Sequence, residues 1–353
     1  MRSEIKVHLS KLDNNLHSIK SRLKTDVKVM AVIKDDAYGH GAIPIAKHLA
    51  DNVDWFCVAT LDEAIELRLG GIKKPLLVFE VPEKDNAEEY LNHKITATIS
   101  DISTFEILEE GTEYQLNFDT GMRRLGIPIS DCKEAFEKFN TYKKLKCTGL
   151  YTHFCSSDEP DNSMVEQQLL SFKDISSMFP DYLMRHVANT GAIFYYQNLD
   201  LQFDAVRPGV CLYGYLAGES ESHDLRPIIE WKSHVMQVRK INKGESVGYG
   251  QTWIAPKDGI VGTIPVGYGD GVQRLISGKM KVEINGKQIQ QVGRVSMDYF
   301  GVYCEESSFK RNDEVTIFDG EVLSPKNWAK TLDTIPYEIV TNLNRKVKRV
   351  YVS

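Results

Sequence analysis

Eight short apolar runs, separated by segments with helical spacing, constrain the fold of this chain more than any other feature. The runs are KVMAVIK (28–34), WFCVAT (55–60), PLLVFE (75–80), TATIS (96–100), YQLNFD (114–119), KCTGLYTH (146–153), RHVAN (185–189) and AVRPGVCLYG (205–214). Strands that are buried on both faces and alternate with helices form parallel sheets, and eight such units close a barrel. The pattern therefore predicts an α/β fold with an N-terminal TIM-type (β/α)8 barrel.

The segments between the runs have the spacing of amphipathic helices. Examples are LDEAIELRLGG, DISTFEILEEG and CKEAFEKFNTYKKL, and the two glycines of the first are placed to end its helix. After about residue 225 the pattern changes to strand-like stretches with few helices between them, and EINGK carries an Asn-Gly hairpin signal. We therefore expect a barrel domain over residues 1–225 and a mainly β domain over residues 226–353.

Composition excludes several classes of protein. A chain of 353 residues exceeds the size at which one core keeps growing, which favours two domains. The net charge of −6 and the lack of a long Lys/Arg run argue against a nucleic-acid partner. No stretch of eighteen apolar residues and no apolar leader is present, so we expect a cytoplasmic protein without a membrane partner. The six cysteines form no C-x-x-C pair and are expected to be reduced packing residues, with no metal site.

Chemically versatile side chains occur where the predicted barrel strands end. They are Lys34, Thr60, Asp119 to Arg124, His153, Asn189 and Arg207. In barrels of this kind the loops at the C-terminal ends of the strands converge on one mouth, which carries the active site. Most of these residues are therefore expected to face one pocket. Arg207 fits less well, because its run contains Pro208 and Gly209 before the last strand-like residues.

Lys34 is the first candidate for covalent chemistry. It leaves an apolar strand and precedes a loop containing Tyr38 and His40. Burial disfavours an ammonium group, and the neutral amine is the form that attacks an aldehyde. The spacing by itself leaves the alternative open, because most lysines at strand ends simply reach solvent.

The segment AVIKDDAYGHGA resembles the pyridoxal-phosphate (PLP) attachment segment of alanine racemases. The resemblance continues through FDTGMRRLG (118–126), YTHF (151–154), HVANTGA (186–192), VRPGVCLYG (206–214), VGYGQTW (247–253), GTIPVGYGDG (262–271), GRVSMD (293–298) and IPYE (335–338). It implies a barrel followed by a β domain, and a head-to-tail homodimer as the working unit. It also implies interconversion of L-alanine and D-alanine, with D-alanine supplied for peptidoglycan.

The same resemblance implies a two-base mechanism. Lys34 would bind PLP as a Schiff base (an internal aldimine) and serve as the base on the D-face of the substrate. Tyr249 would be the second base, contributed by the β domain of the other subunit, in a network with His153 and Arg207. Tyr268 also lies between glycines but matches a tyrosine of the substrate entrance, so Tyr249 is preferred.

The resemblance assigns the remaining site residues by position. Cofactor binding is assigned to Lys34, Tyr38, His153, Asn189, Thr190, Arg207, Gly209, Val210 and Tyr337. Arg207 would face the pyridine nitrogen, and Tyr38, Thr190, Gly209, Val210 and Tyr337 would hold the phosphate. Arg124 and the backbone of the partner's Met297 would bind the substrate carboxylate, and Tyr268 and Arg294 would line the entrance.

Five positions depart from the family pattern, and one of them is Thr190, which stands where serine is common. Asp35 and Asp36 replace Ala-Asn after the lysine and bring two carboxylates near it. Arg123 replaces a glycine, which raises the question of which arginine of the pair enters the site. Asn117 stands where many members have a carbamylated lysine. We expect no carbamate, with the Asn117 amide orienting Arg124 by a hydrogen bond.

Three other functions are compatible with parts of this pattern. A PLP-dependent racemase of serine or lysine would use the same machinery, but Tyr337 and Met297 resemble residues that narrow an alanine-sized pocket. A decarboxylase of this layout is usually longer and carries a reactive cysteine in its β domain, where only Cys304 occurs after residue 225. A noncatalytic PLP-binding protein would lack the β domain.

Overall fold

The computed structural model describes residues 2–159, 163–216 and 224–353. The strands are β1 (Ser3–His8), β2 (Lys28–Val32), β3 (Trp55–Val58), β4 (Leu76–Val78), β5 (Ala97–Ile99), β6 (Glu113–Asp119), β7 (Ile127–Pro128), β8 (Lys146–Tyr151), β9 (Met184–His186), β10 (Ala205–Val206), β11 (Ile229–His234), β12 (Gln237–Ile241), β13 (Ser246–Val247), β14 (Trp253–Ile254), β15 (Gly259–Ile264), β16 (Lys281–Ile284), β17 (Lys287–Val292), β18 (Phe300–Cys304), β19 (Glu314–Phe318) and β20 (Lys348–Val352). The helices are α1 (Leu9–Lys20), α2 (Ala42–Leu49), α3 (Leu61–Leu69), α4 (Ala87–Asn92), α5 (Cys132–Thr141), α6 (Ser163–Ser176), α7 (Thr190–Tyr195), α8 (Pro325–Leu332) and α9 (Pro336–Thr341).

Eight parallel strands form the predicted barrel. Their order is β4-β3-β2-β10-β9-β8-β6-β5, and a bridge between Leu77 and Thr96 brings β4 against β5. Each of the eight apolar runs contributes one of these strands, so the predicted fold class is confirmed. The last run supplies only Ala205 and Val206 to the barrel and then a 3-10 helix, Val210–Tyr213, because Pro208 has no N–H to continue the ladder.

Not all of the predicted helices form. The first begins at Leu61 behind a capping box, in which the side chain of Thr60 accepts from Glu63 N and Glu63 accepts from the backbone of Thr60. Gly70 ends it as expected. The segment DISTFEILEEG forms only a short 3-10 helix, Ile102–Glu106, so the expectation of an amphipathic helix there is wrong. The side chain of Asp101 accepts from Ser103 N and favours this tight turn.

The second domain is built on a nine-stranded sheet in the order β12-β15-β18-β17-β16-β19-β11-β1-β20. The predicted Asn-Gly hairpin joins β16 and β17, and Asn285 and Gly286 both adopt positive φ as a tight turn requires. Strand β1 also lies in this sheet, antiparallel to β11 and parallel to β20. The division at residues 225 and 226 remains a prediction.

Strand β1 contributes to the core of this sheet. Ile5 and Val7 are fully buried and are paired with Trp231 and Ile229 of β11.

Within residues 2–159, 163–216 and 224–353, no helix has the length and apolar character that spanning a bilayer requires.

Candidate active site

The C-terminal ends of the barrel strands surround a cavity of about 630 Å³. Six of the residues predicted at strand ends line it, namely Lys34, Met122, Arg124, His153, Asn189 and Arg207. These side chains lie close together because the barrel strands are parallel and therefore all end on the same side. Tyr38, Thr190, Gly209, Val210 and Tyr337 line the same cavity.

Thr60 and Asp119 do not line this cavity. Thr60 caps α3, and Asp119 folds the loop that follows β6. The Asp119 carboxylate accepts from the backbone N–H of Gly121 at 2.9 Å and of Arg123 at 3.1 Å. The side chains of both residues therefore bind backbone N–H groups and fix the backbone beside the site.

Lys34 is followed by an unusual left-handed turn. The residues 35–38 all have φ between 52° and 55° and ψ between 42° and 50°. Each such residue, other than glycine, costs roughly 1–2 kcal/mol relative to a right-handed conformation. The turn must therefore be held by its surroundings.

Contacts from the C-terminal strand hold this turn. The guanidinium of Arg349 donates to the carbonyl of Gly39 through Nε at 3.1 Å and Nη2 at 2.9 Å, and the Tyr351 hydroxyl donates to the carbonyl of His40 at 3.0 Å. The Asp36 carboxylate accepts from Ala42 N at 2.8 Å, at the start of α2. Strand β20 thus fixes the segment that presents Lys34.

The two departures beside the lysine have different surroundings. The Asp35 carboxylate lies 3.3 Å from the ammonium of Lys34. Asp36 is mostly buried, where it receives the bond from Ala42 and pairs with Arg345 at 3.4 Å. Asp35 therefore faces the lysine, whereas Asp36 stabilises the turn.

Arg207 is 2% exposed, and its four terminal N–H groups are all used. Nη1 donates to Nδ1 of His186 at 2.5 Å and to the His186 carbonyl at 2.9 Å. Nη2 donates to the carbonyls of Thr152 at 2.7 Å and Val187 at 3.2 Å. Among the described residues, Nε–H is the donor of this guanidinium that has no partner.

Three cationic side chains line the cavity, Lys34, Arg124 and Arg207, against the two carboxyl groups of Glu80 and Asp158. Burial, together with Arg207, Arg124 and Lys34, lowers the pKa of His153 to about 3. Burial lowers the pKa of Arg207 to about 10, which leaves the guanidinium charged at neutral pH. A neutral histidine between cations makes this mouth suited to anionic groups such as carboxylates and phosphates.

One corner of the cavity collects hydroxyl and backbone donors. Gly209 N donates to the hydroxyl of Thr190 at 3.1 Å, and a Cβ on Gly209 would lie 2.8 Å from the hydroxyl oxygen of Tyr38. The rings of Tyr38 and Tyr337 are 5.9 Å apart. Burial raises the pKa of both phenols, so they remain donors, and neither hydroxyl has a partner in the described parts of the chain.

Asn189 has a helix-capping role at this corner. Its side-chain oxygen accepts from Ala192 N at 3.1 Å and from the Ser157 hydroxyl at 2.6 Å. The cap starts α7 and so fixes Thr190, the first residue of that helix.

The arginine pair is resolved by backbone conformation. Arg123 adopts a φ of 59°, which favours the glycine usual at this position, and Arg124 is the member that lines the cavity. Asn117 Nδ2 donates to the Ser100 hydroxyl at 3.0 Å, and its buried Oδ1 has no partner among the described residues. The expected hydrogen bond between Asn117 and Arg124 is therefore not formed.

Tyr249, Tyr268, Arg294 and Met297 lie elsewhere, on exposed loops of the second domain. Tyr249 is 71% exposed, and the loop that carries it packs on Arg294 through Gly250. Tyr268 N donates to Ser296 O at 3.0 Å, next to Met297. None of the four lines the cavity of its own chain. Residues that a second subunit contributes to the PLP site would have this property.

Sequence reasoning missed several lining residues, and Glu80 is the clearest. It ends the run PLLVFE, so the strand-end rule that selected Lys34 would also have selected it. Burial raises the pKa of its carboxyl group, which accepts from Leu61 N at 2.5 Å. Over the described ranges no cluster of three or more His, Cys, Asp or Glu side chains is arranged to hold a metal ion.

Comparison with known proteins agrees with this architecture. The model for the alanine racemase N-terminal domain matches residues 7–217, and the model for the C-terminal domain matches residues 228–351. "Alanine racemase 2" of Caldanaerobacter subterraneus subsp. tengcongensis is 33% identical over 99% of this chain and 95% of its own length.

Solved structures give the same result. An alanine racemase of Clostridium difficile 630 has a TM-score of 0.92 and 31% identity, over 100% of this chain and 96% of that one. An alanine racemase of Bartonella henselae, solved with covalently bound pyridoxal phosphate, has a TM-score of 0.90 and 25% identity, over all of both chains.

The barrel, its lysine-bearing mouth and the β domain define an isomerase of the amino-acid racemase class. Within that class, the chain belongs to the alanine racemase family, which confirms the resemblance drawn from its motifs.

Proposed function

We propose that this chain interconverts L-alanine and D-alanine with PLP bound covalently to Lys34, and that the partner subunit's Tyr249 is the second base. The observation that carries the proposal is the separation of the two candidate bases. Lys34 lines the cavity, whereas Tyr249 is 71% exposed on another surface of the same chain. Racemisation needs a base on each face of Cα, so a homodimer would complete each site.

The residues of the cavity fit PLP. The phenols of Tyr38 and Tyr337 line the cavity together with Gly209, and their hydroxyls, which have no partner among the described residues, are donors suited to a phosphate dianion. Nε–H of Arg207, which has no partner among the described residues, is a charged donor suited to an unprotonated pyridine nitrogen. The residues that would hold PLP are Lys34, Tyr38, His153, Asn189, Thr190, Arg207, Gly209, Val210 and Tyr337. Bound PLP supplies an electron sink for the negative charge that develops at Cα.

The residues of this chain would then bind the substrate and move its proton. The guanidinium of Arg124 and the backbone of the partner's Met297 would hold the carboxylate, and Nζ of Lys34 would take or return the Cα proton on the D-face. His153 stays neutral, because burial and nearby cations hold its pKa at about 3, and so it would not compete as an acid. Tyr268 and Arg294 would line the entrance, and the D-alanine formed would supply peptidoglycan.

Deuterium exchange tests this function. The purified protein is incubated with L-alanine in deuterium oxide, and chirality and Cα exchange are followed. We expect deuterium in both enantiomers and a final ratio near one, since the two enantiomers have equal free energy. Release of carbon dioxide would instead identify a decarboxylase, and exchange with serine or lysine but not alanine would identify another racemase.

A pair of lysine variants tests the attachment site. Lys34→Ala should remove the visible absorption of covalently bound PLP and abolish exchange. Lys28→Ala is the matched control, because Lys28 is exposed at the start of β2, the strand that leads to Lys34. Absorption retained in Lys34→Ala would refute the assignment.

A further inference from the structure

Three polar side chains form a buried chain beneath the cavity. Gln115 of β6 and His186 of β9 are fully buried, and Arg207 follows β10. Nε2 of His186 lies 2.7 Å from Oε1 of Gln115, and Nδ1 of His186 lies 2.5 Å from Nη1 of Arg207. The ring of His186 is also stacked on Tyr151, with centroids 5.0 Å apart.

Only one arrangement of protons satisfies these contacts. A guanidinium donates and never accepts, so Nδ1 of His186 must be unprotonated to receive Nη1 of Arg207. Burial and the charge of Arg207 hold the pKa of His186 well below its usual range, so the ring is neutral. Its single proton then lies on Nε2 and is donated to Gln115, which must present its oxygen.

The side-chain amide of Gln115 destabilises the fold, because one of its polar atoms is buried without a hydrogen bond to any described residue. Its Nε2 is buried and has no partner among the described residues. A Cβ on Gly149 of β8 would lie 3.3 Å from this amide, so a glycine leaves the room that it occupies. A methionine would fill the same space without burying an unsatisfied donor. The contribution of Gln115 is therefore its oxygen.

We propose that Gln115 is a positioning residue for Arg207. By holding the neutral, Nε2-protonated form of His186, it keeps the acceptor that fixes one end of the guanidinium plane. The carbonyls of Thr152 and Val187 fix the other end. The plane in turn directs Nε–H, the one guanidinium donor without a partner among the described residues. The inference rests on the proposed function, in which this donor meets the pyridine nitrogen.

Gln115→Glu tests the proposal with almost no change in size. A buried carboxylate beside His186 favours the imidazolium form, in which both ring nitrogens donate. Nδ1–H would then face Nη1 of Arg207, and the hydrogen bond would be replaced by repulsion. We expect kcat near pH 7 to fall roughly 10–100-fold, the scale of a displaced catalytic group. The loss should recover as pH rises and His186 loses its proton.

Gln115→Met is the matched control. It removes the acceptor of Nε2–H but adds no charge, so His186 stays neutral while its ring is held from the Arg207 side only. We expect a smaller loss of kcat and no new pH dependence. Equal losses and identical pH profiles in the two variants would overturn the proposal, because a residue that only fills space would behave in that way.

Nitrogen NMR of the 15N-histidine-labelled full-length protein gives a readout that does not depend on catalysis. The signal of His186, identified by its loss in His186→Asn, should show a protonated Nε2 and a bare Nδ1 across neutral pH. A protonated Nδ1 in the wild type would overturn the proposal. This measurement decides the tautomer even if Gln115→Glu does not fold, or if the wild type fails to racemise alanine and the proposed function falls.

Discussion

Replacing Arg349 with methionine tests whether the C-terminal strand holds the cofactor lysine in place. The guanidinium makes five hydrogen bonds to four carbonyls, those of Gly39, Leu343, Asn344 and Val347. Two of the five converge on Gly39, at the end of the left-handed turn. Methionine keeps the apolar stem and removes every donor.

The magnitude follows from these contacts. A hydrogen bond to a charged group contributes about 1.5–3 kcal/mol, and the carbonyls freed on this partly exposed surface regain some water. We expect the free energy of unfolding to fall by roughly 3–4 kcal/mol, of which about 2 kcal/mol acts on the turn. Since about 1.4 kcal/mol is a tenfold change in an equilibrium constant, apparent PLP affinity should fall roughly thirtyfold.

Arg185→Met is the matched control. Arg185 also donates to several backbone carbonyls of its own neighbourhood, but at the N-terminal end of β9, away from the cavity. Urea unfolding and PLP titration of both variants separate stability from cofactor affinity. The reasoning is refuted if Arg349→Met loses stability and binds PLP as tightly as Arg185→Met.

Three further predictions concern other parts of the molecule. Tyr249→Phe should reduce deuterium exchange from L-alanine by a factor of roughly 100 or more while exchange from D-alanine continues; equal losses would count against two bases. Thr60→Ala should lower the free energy of unfolding by about 1 kcal/mol through loss of its helix cap, and an unchanged urea midpoint would contradict this. Burial lowers the pKa of His40 to about 4, that of His153 to about 3, and that of His186 well below its usual range. The unfolded histidines bind protons near pH 6.5, so the stability they contribute is complete above that pH. It should fall as pH decreases towards the folded values, by up to about 1.4 kcal/mol per pH unit for each histidine, and urea midpoints that stay constant from pH 7 to 5 would argue against it.

Local sequence patterns predicted the barrel well, because each of its strands is buried on both faces and stands out as an apolar run. The Asn-Gly hairpin was equally predictable, since the turn itself demands those residues. The position of β1 was not, because its neighbours β11 and β20 come from the far end of the chain. Pairing between distant segments leaves no local periodicity.

The site divides in the same way. The strand-end rule found Lys34, His153 and Arg207, but it also selected Thr60, whose side chain caps a helix. The left-handed turn after Lys34 was not predictable from its sequence, because no glycine occupies residues 35–38 and Arg349, which steadies the turn, lies about 310 residues away. Gln115 was equally hidden, since only the folded barrel sets its amide beside His186.

The position of β1 has a consequence for synthesis on the ribosome. Strand β1 is synthesised before both of its neighbours, which begin at Ile229 and Lys348. At roughly 5–20 residues per second, β1 waits about 10–45 s for β11 alone, with Ile5 and Val7 still unburied. An unpaired strand with two unburied apolar side chains can pair with another chain. The nascent chain is therefore expected to need shielding at β1 until β11 and β20 have been synthesised.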